Sequence, residues 1–236
     1  MHNIYVFCFL LLHAFFKGIN RIFTLVKMQK DLTFWDGQMD LLAQQNYVIV
    51  DSFFNAEELL TAHQFFDKKQ EEEAFHKAAI GAAGNKNVIN EIRGDYTYWL
   101  EREKEEGLDL IFNVFDEVKS IINRLLFLSL SDYEFHLAHY PKGSFYKKHL
   151  DQFESRNNRM ISMIVYLNKD WKVGDGGELR IYPEGEEPIN IAPLENRCVL
   201  FRSDTLFHEV LTSSTSRKSI TGWMLYKPAV LPYMVL

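Results

Sequence analysis

The chain has 236 residues, enough for one domain with a full core, and its formal net charge of −6 weighs against a phosphate-backbone partner, so no nucleic acid is expected. Hydrophobic residues at 47% and aromatics at 14% exclude a disordered chain. Only Cys8 and Cys198 are present, which excludes a disulfide framework and suits a reducing cytoplasm.

Residues 4–16 are apolar but too short to span a bilayer comfortably, and they lack a basic leader and a small-residue cleavage site. A second methionine, Met28, opens a more ordinary stretch. Residues 1–27 read as an extension outside the fold, either upstream of a true start at Met28 or a membrane-associating helix. A membrane partner is not expected unless residues 4–16 act as an anchor. Residues 28–130 read as a supporting region of helices and strands. From Asp40, polar residues lead into Tyr47-Val-Ile-Val50, a first strand. Asn55 and Glu58 form a capping pattern for a helix whose apolar stripe is Leu59, Leu60, His63 and Phe66. His63 and His76 are expected at the surface or rim, not as ligands.

Residues 78–90, rich in Ala, Gly and Asn, read as a loop, and no Gly-Lys-Ser/Thr follows Gly81-Ala-Ala-Gly84 to make it a phosphate-binding loop. The charged run Glu101–Glu106 reads as a solvated, mobile loop. Leu108–Leu126 carries the clearest helical pattern. Ile111, Val114, Phe115, Val118, Ile121, Ile122 and Leu125 recur at three- and four-residue steps, a face that packs on a sheet.

After Ser131 the pattern changes to short strands: Glu134–Tyr140, Met160–Leu167, Glu178–Tyr182, Arg197–Phe201, Phe207–Leu211 and Lys218–Tyr226. Gly174-Asp-Gly-Gly177 and Pro183-Glu-Gly185 supply turns between them. A helical front followed by many short strands predicts an α+β chain, with a jelly-roll core over residues 131–228 and a tail at 229–236.

Chemistry concentrates in this second half. His149-Leu-Asp151 and the later His208 supply two imidazoles and a carboxylate, the facial triad that holds non-haem Fe(II) and leaves positions open. On a strand, His149 and Asp151 would point to one face. His136 and His139 would fall on opposite faces and cannot chelate together, and Glu209 should point away from His208. Arg217, Ser219, Thr221 and Trp223 alternate along one strand face, which can line a barrel interior. A buried Arg217 needs a negative partner, and no nearby carboxylate is reserved for it.

The runs Ile164–Trp171, Gly176–Gly185 and His208-Glu-Val210, with Ile92–Glu101, resemble the Fe(II)- and 2-oxoglutarate-dependent oxygenases. The resemblance covers residues 45–226 and is strongest to the prolyl hydroxylases that modify the hypoxia-inducible factor and to their bacterial relatives. It implies a double-stranded β-helix, the jelly-roll form of this family. It also implies Fe(II), 2-oxoglutarate and O2, with L-ascorbate as reductant, and a proline-containing protein or peptide that is hydroxylated as succinate and CO2 are released. Arg217 and Tyr166 would hold the distal carboxylate of 2-oxoglutarate, with Thr221 beside them and Tyr140 at the co-substrate or product-side pocket. Asp95 matches a substrate-loop residue, which tells against reading Arg93-Gly-Asp95 as an adhesion tripeptide. Arg159, Leu179 and Trp223 match residues at the peptide-facing mouth. The Tyr140–His149 stretch is one residue shorter than the resemblance leads one to expect, and the Gln152–Asn158 linker differs in composition. Two other readings stay open: a hydroxylase of a free amino acid or other small molecule, and a binding module that no longer turns over.

Overall fold

The computed structural model describes residues 30–78, 92–152 and 157–226. The proposed start at Met28, the segment 4–16, most of the 78–90 loop and the tail 229–236 lie outside them. The chain divides into two compact units, residues 1–37 and 38–236. What is described of the first is the opening of helix α1 (Leu32–Gln45), where Asp31 Oδ1 accepts a hydrogen bond from the Phe34 N–H at 2.9 Å.

In the second unit, Asn46 at φ 65° turns the end of α1 into β1 (Tyr47–Val50). Helix α2 (Ala56–Glu71) has the expected capping box. Asn55 Oδ1 accepts from the Glu57 and Glu58 N–H groups, and Glu58 Oε2 accepts from the Asn55 N–H. Caps of this kind stabilise a helix by about 1 kcal/mol. The buried stripe differs from expectation: it is Ala62, His63, Phe65 and Phe66, while Leu60 is 57% exposed. His63 is inside because Glu195, distant in sequence, meets its Nε2 at 2.7 Å.

Two short strands, β2 (His76–Lys77) and β3 (Tyr96–Leu100), precede helix α3 (Asp109–Leu126). The strands β4 (Leu130–Tyr140), β5 (Tyr146–His149), β6 (Arg159–Tyr166), β7 (Leu179–Tyr182), β8 (Ile189–Ile191), β9 (Cys198–Arg202), β10 (Phe207–Val210) and β11 (Arg217–Tyr226) follow. Among the described residues they form a seven-stranded sheet in the order β1-β9-β6-β11-β4-β3-β2 and a four-stranded sheet in the order β5-β10-β7-β8. Every pairing within both sheets is antiparallel. Strands β1 and β3 come from before residue 131 and are built into the large sheet.

The two faces of the large sheet do different work. On one, α3 packs through the alternating residues of β4, with Phe115 stacked on Phe135 at 3.9 Å. Phe115 and Phe135 are both fully buried, and truncating either would cost about 3–5 kcal/mol. Gly222 lies under the Phe135 ring and against the Glu134 carbonyl, so no Cβ fits there. The other face meets the small sheet. There Ile164, Tyr166, Val199 and Phe201 pack with Leu179, Ile181 and Ile191 in one buried cluster. This is the predicted α+β double-stranded β-helix, with the candidate site between its sheets.

The charged run departs from expectation at Glu105. It is buried, accepts a hydrogen bond from the Tyr98 hydroxyl at 2.8 Å and faces Lys69 Nζ at 3.5 Å. It therefore anchors its loop instead of standing in solvent.

Candidate active site

Strand β5 is polar at nearly every position, and its place is set by pairing with β10, which puts His149 directly opposite His208. Asp151 lies in a bend just past the end of β5, not on the strand as the His-x-Asp spacing predicts. The bend still brings its carboxylate between the two rings. Asp151 Oδ1 is 3.5 Å from His149 Nε2, and Oδ2 is 3.5 Å from His208 Nε2. Ligand atoms of all three lie within 4.8 Å of one another, so the set is gathered around one point where a single ion could be held.

Each histidine is held in the ligating tautomer. His149 Nδ1 bonds the Lys147 carbonyl at 2.7 Å, and His208 Nδ1 bonds the Leu206 carbonyl at 3.2 Å. A carbonyl only accepts, so each Nδ1 carries the proton and each Nε2 turns its lone pair to the shared point. Burial, and to a smaller extent His149, lowers the His208 pKa to about 4, outweighing the opposite pull of Asp151, so this ring is neutral at pH 7. Burial alone would raise the Asp151 carboxyl. His208, His149 and a 2.6 Å hydrogen bond from Ser162 outweigh it and hold the carboxyl well below its usual range. A carboxylate with two neutral imidazoles is a donor set that fits Fe(II).

Register also assembles the second half of the site. Arg217 pairs with Tyr140 across β11 and β4, and Ser219 pairs with Tyr166 across β11 and β6. Arg217 is 2% exposed, and its guanidinium carbon is 4.9 Å from the ring centres of both tyrosines. Its Nε donates to the Gly177 carbonyl at 2.9 Å, but Nη2 has no hydrogen-bond partner and no carboxylate faces it among the described residues. The fully buried Tyr166 hydroxyl is also unpartnered. Burial pushes its phenol up, and the charge and nearby N–H groups of the adjacent guanidinium oppose this. Burial likewise raises Tyr140. Thr221 shares a 3.0 Å contact with the Oγ of Ser219, the residue that pairs with Tyr166. A buried cation and an unpartnered phenol side by side fit a ligand carboxylate, such as the distal one of 2-oxoglutarate.

The residues that the resemblance matches to a substrate loop, Asp95, and to the peptide-facing mouth, Arg159, Leu179 and Trp223, have specific surroundings. Asp95 is 1% exposed, with its carboxylate held bidentately by Arg93 at 2.7 and 2.6 Å. Arg159 donates twice to Glu134 and once to the Asp151 carbonyl, and lies 3.4 Å over the Trp223 ring. Leu179 is fully buried beside Tyr166 in the inter-sheet core. Trp223 is nearly buried against His136 and Trp99. His139 turns outward to Ser216 Oγ, so the two histidines of β4 are separated as expected. Glu209 also points away, taking a hydrogen bond from Tyr182.

Four supporting residues escape a reading of the sequence. Ser162 orients Asp151 and is itself bonded to Ser203. Tyr146 stacks on His149 at 3.7 Å, and the Arg93 guanidinium lies over the same Tyr146 ring at 4.3 Å. Gly177 at φ 76° presents its carbonyl to Arg217, and a Cβ there would press on the Arg217 Cδ at 3.1 Å. The glycine is marked in the sequence as part of a turn, and Arg93 only as part of the Arg93-Gly-Asp95 step.

The model of the 2OG-Fe(II) oxygenase superfamily matches residues 135–225, the span that carries the triad and Arg217. A crystal structure of a Pseudomonas putida prolyl-4-hydroxylase is 31% identical with a TM-score of 0.73, covering 82% of this chain and 99% of that one. A Trichoplax adhaerens prolyl hydroxylase, solved with a hypoxia-inducible factor oxygen degradation domain peptide, shares the fold with a TM-score of 0.77 at 24% identity, over 84% of this chain and 92% of that one. A hypoxia-inducible factor prolyl hydroxylase of Caenorhabditis elegans is 29% identical over 79% of this chain, which spans 27% of the length of that curated relative. With near-complete coverage of the bacterial enzyme and the triad in ligating geometry, the chain belongs to the 2OG-Fe(II) oxygenase superfamily.

Proposed function

We propose that the chain is a 2-oxoglutarate-dependent dioxygenase that hydroxylates a prolyl residue in a protein or peptide substrate. The observation that carries this reading is the coincidence, between two sheets, of a ligating His-Asp-His set and a buried guanidinium without a counter-charge. His149, Asp151 and His208 would hold Fe(II), and Arg217 with Tyr166 would hold the far carboxylate of 2-oxoglutarate. When bound, iron, 2-oxoglutarate and O2 supply the oxidising chemistry whose products are succinate, CO2 and a hydroxylated carbon. The chain binds and orients. Ser162 fixes the Asp151 carboxylate, backbone carbonyls fix both rings, and the inter-sheet core keeps water from the co-substrate's buried end. L-Ascorbate is the reductant that this chemistry would draw on.

The names of the relatives support a proline in a peptide as the target, and a cytoplasmic setting suits the buried free thiol of Cys198 and a ferrous site. Among the described residues no helix is long and apolar enough to cross a membrane. The test is anaerobic loading with Fe(II), then O2, 2-oxoglutarate and ascorbate with an array of proline-containing peptides. Peptide-dependent succinate release with a mass gain of one oxygen on proline supports the reading. Release that responds to free amino acids and to no peptide would overturn it.

A further inference from the structure

The chemistry proposed for the site gives Arg93 no task, yet the Arg93-Gly-Asp95 step is built tightly onto the strand that carries His149. Arg93 makes an isolated antiparallel bridge with Tyr146 of β5. The Lys147 N–H donates to the Ile92 carbonyl and the Gly94 N–H to the Phe145 carbonyl, both at 2.9 Å. Ser144 Oγ donates to the Gly94 carbonyl at 3.0 Å, and a Cβ at Gly94 would press on Ser144 at 3.1 Å. These contacts set four side chains in a column. The buried Asp95 carboxylate grips the Arg93 guanidinium, whose carbon lies 4.3 Å from the centre of the Tyr146 ring. Tyr146 stacks on the His149 imidazole, the two planes 3.7 Å apart at their centres and inclined by 20°. Two groups this close to one ring centre cannot share a face, so Tyr146 is held between guanidinium and imidazole.

His149 needs a brace that His208 does not. His208 sits on β10 between β5 and β7, with the buried Phe201 ring edge-on to it at 4.6 Å. His149 is on β5, the edge strand of the small sheet, and its side chain is 18% exposed against 5% for His208. The Nδ1 bond to the Lys147 carbonyl fixes the tautomer of His149, but one bond at the ring's edge does not fix its tilt. We propose that Arg93 is a positioning residue for His149, acting through Tyr146. Asp95 aims the guanidinium, the guanidinium keeps the phenol ring flat against the imidazole, and the imidazole keeps its Nε2 on the ion. This rests on the iron-site reading and adds to it a determinant of metal affinity. The residue type fits the task. A guanidinium is planar and weakly hydrated, so it covers a ring face, whereas an ammonium is a compact charge that does not. Lysine at position 93 would keep a cation for Asp95 and lose the flat cover. Tyr146 works here through its ring face, so its hydroxyl is dispensable for this role.

Two readouts test this without turnover. Fe(II) affinity is measured by anaerobic competition with a chromogenic ferrous chelator. The His149 ring protons are followed by NMR on the intact chain loaded with redox-inert Zn(II), and are recognised by cross-peaks to the ring protons that Tyr146→Leu removes. Stacking under Tyr146 should place them upfield in the unsubstituted chain. Tyr146→Leu should weaken Fe(II) binding about tenfold or more, the lower end of the scale for an orienting partner of a ligand. Tyr146→Phe, which keeps the ring, should leave affinity unchanged. Arg93→Lys, with Tyr146 in place, should weaken it about two- to fivefold, the scale of one partly exposed cation–π contact, and should move the His149 protons downfield. Unchanged affinity in Tyr146→Leu, an equal loss in Tyr146→Phe, or unmoved affinity or His149 protons in Arg93→Lys would each overturn the brace. Urea midpoints are read alongside; if Tyr146→Leu does not fold, Arg93→Lys decides, because it keeps the charge paired with Asp95. An unsubstituted chain that takes up no Fe(II) refutes the iron-site reading and the brace together. Tight Fe(II) binding that is equal in every variant refutes the brace alone.

Discussion

His149 and His208 face each other across β5 and β10, and each gives its Nδ1 proton to the backbone carbonyl two residues before it. The same local bond is made twice, once on each strand, so the two Nε2 lone pairs converge. Asp151 then closes the set from the bend after β5.

Removing a ring from this set should remove the metal. His149→Ala and His208→Ala should each lose tight Fe(II) binding and Fe(II)-dependent succinate release, since two ligands hold a labile ferrous ion poorly. Metal content after anaerobic dialysis is the measurement. Stoichiometric iron in both variants would contradict the ligand assignment.

Ser162 tests the layer behind the ligands. Ser162→Ala strips the 2.6 Å hydrogen bond from Asp151 and leaves the ligand in place. Iron affinity should fall about 10–100-fold, the usual scale for an orienting partner of a ligand. Competition with a chelator reads this directly.

Gly177 is expected to act through Arg217. Gly177→Ala places a side chain at φ 76° and presses on the Arg217 Cδ. The strained backbone should cost about 1–2 kcal/mol of stability, visible as a lower urea midpoint. The apparent KM for 2-oxoglutarate should rise while iron content stays unchanged.

The acid limb of stability should report His136. Its pKa falls from 6.5 to about 3 on folding, mainly through burial and then Arg93. The unfolded chain therefore binds more protons between those values, and the folded state loses stability as pH drops through 6.5 toward 3. From pH 6.5 to 5 this amounts to about 2 kcal/mol. Urea unfolding at both pH values, on metal-free protein, should show His136→Leu losing less stability over that interval than the unsubstituted chain by about this amount. Equal losses would mean that His136 is not buried neutral.

Much of this was legible in the residues, for physical reasons. Helix α3 announces itself because one face is apolar at every turn, and β4, β6 and β11 do so because their turns and apolar runs are local. Helix α1 escaped because polar residues and Gly37 interrupt its pattern. Strand β5 escaped because Tyr146-Lys-Lys-His149 has no apolar face, and only its ligand motif marks it. The buried state of His63 depends on Glu195 and that of Glu105 on Tyr98 and Lys69, partners that no local pattern can name. For His136, spacing shows only that it cannot chelate with His139. That its Nδ1 is buried without a partner is visible only once Trp99 and Trp223 close around it.

The central claim, that a buried guanidinium without a counter-charge is the anchor for 2-oxoglutarate beside an iron triad, is tested most directly by titrating the co-substrate. Succinate release is measured against 2-oxoglutarate concentration for the unsubstituted chain, Arg217→Ala, Arg217→Lys and Tyr166→Phe, with iron content alongside. Losing one partner of a buried charge-assisted pair costs about 3–5 kcal/mol, and each 1.4 kcal/mol is about tenfold. Arg217→Ala should raise the apparent KM by roughly two orders of magnitude or more with iron retained. Arg217→Lys should recover part of the loss, because it restores the charge without the fork. Tyr166→Phe should cost less than Arg217→Ala, about 1.5–3 kcal/mol. An unchanged KM in Arg217→Ala would contradict the account.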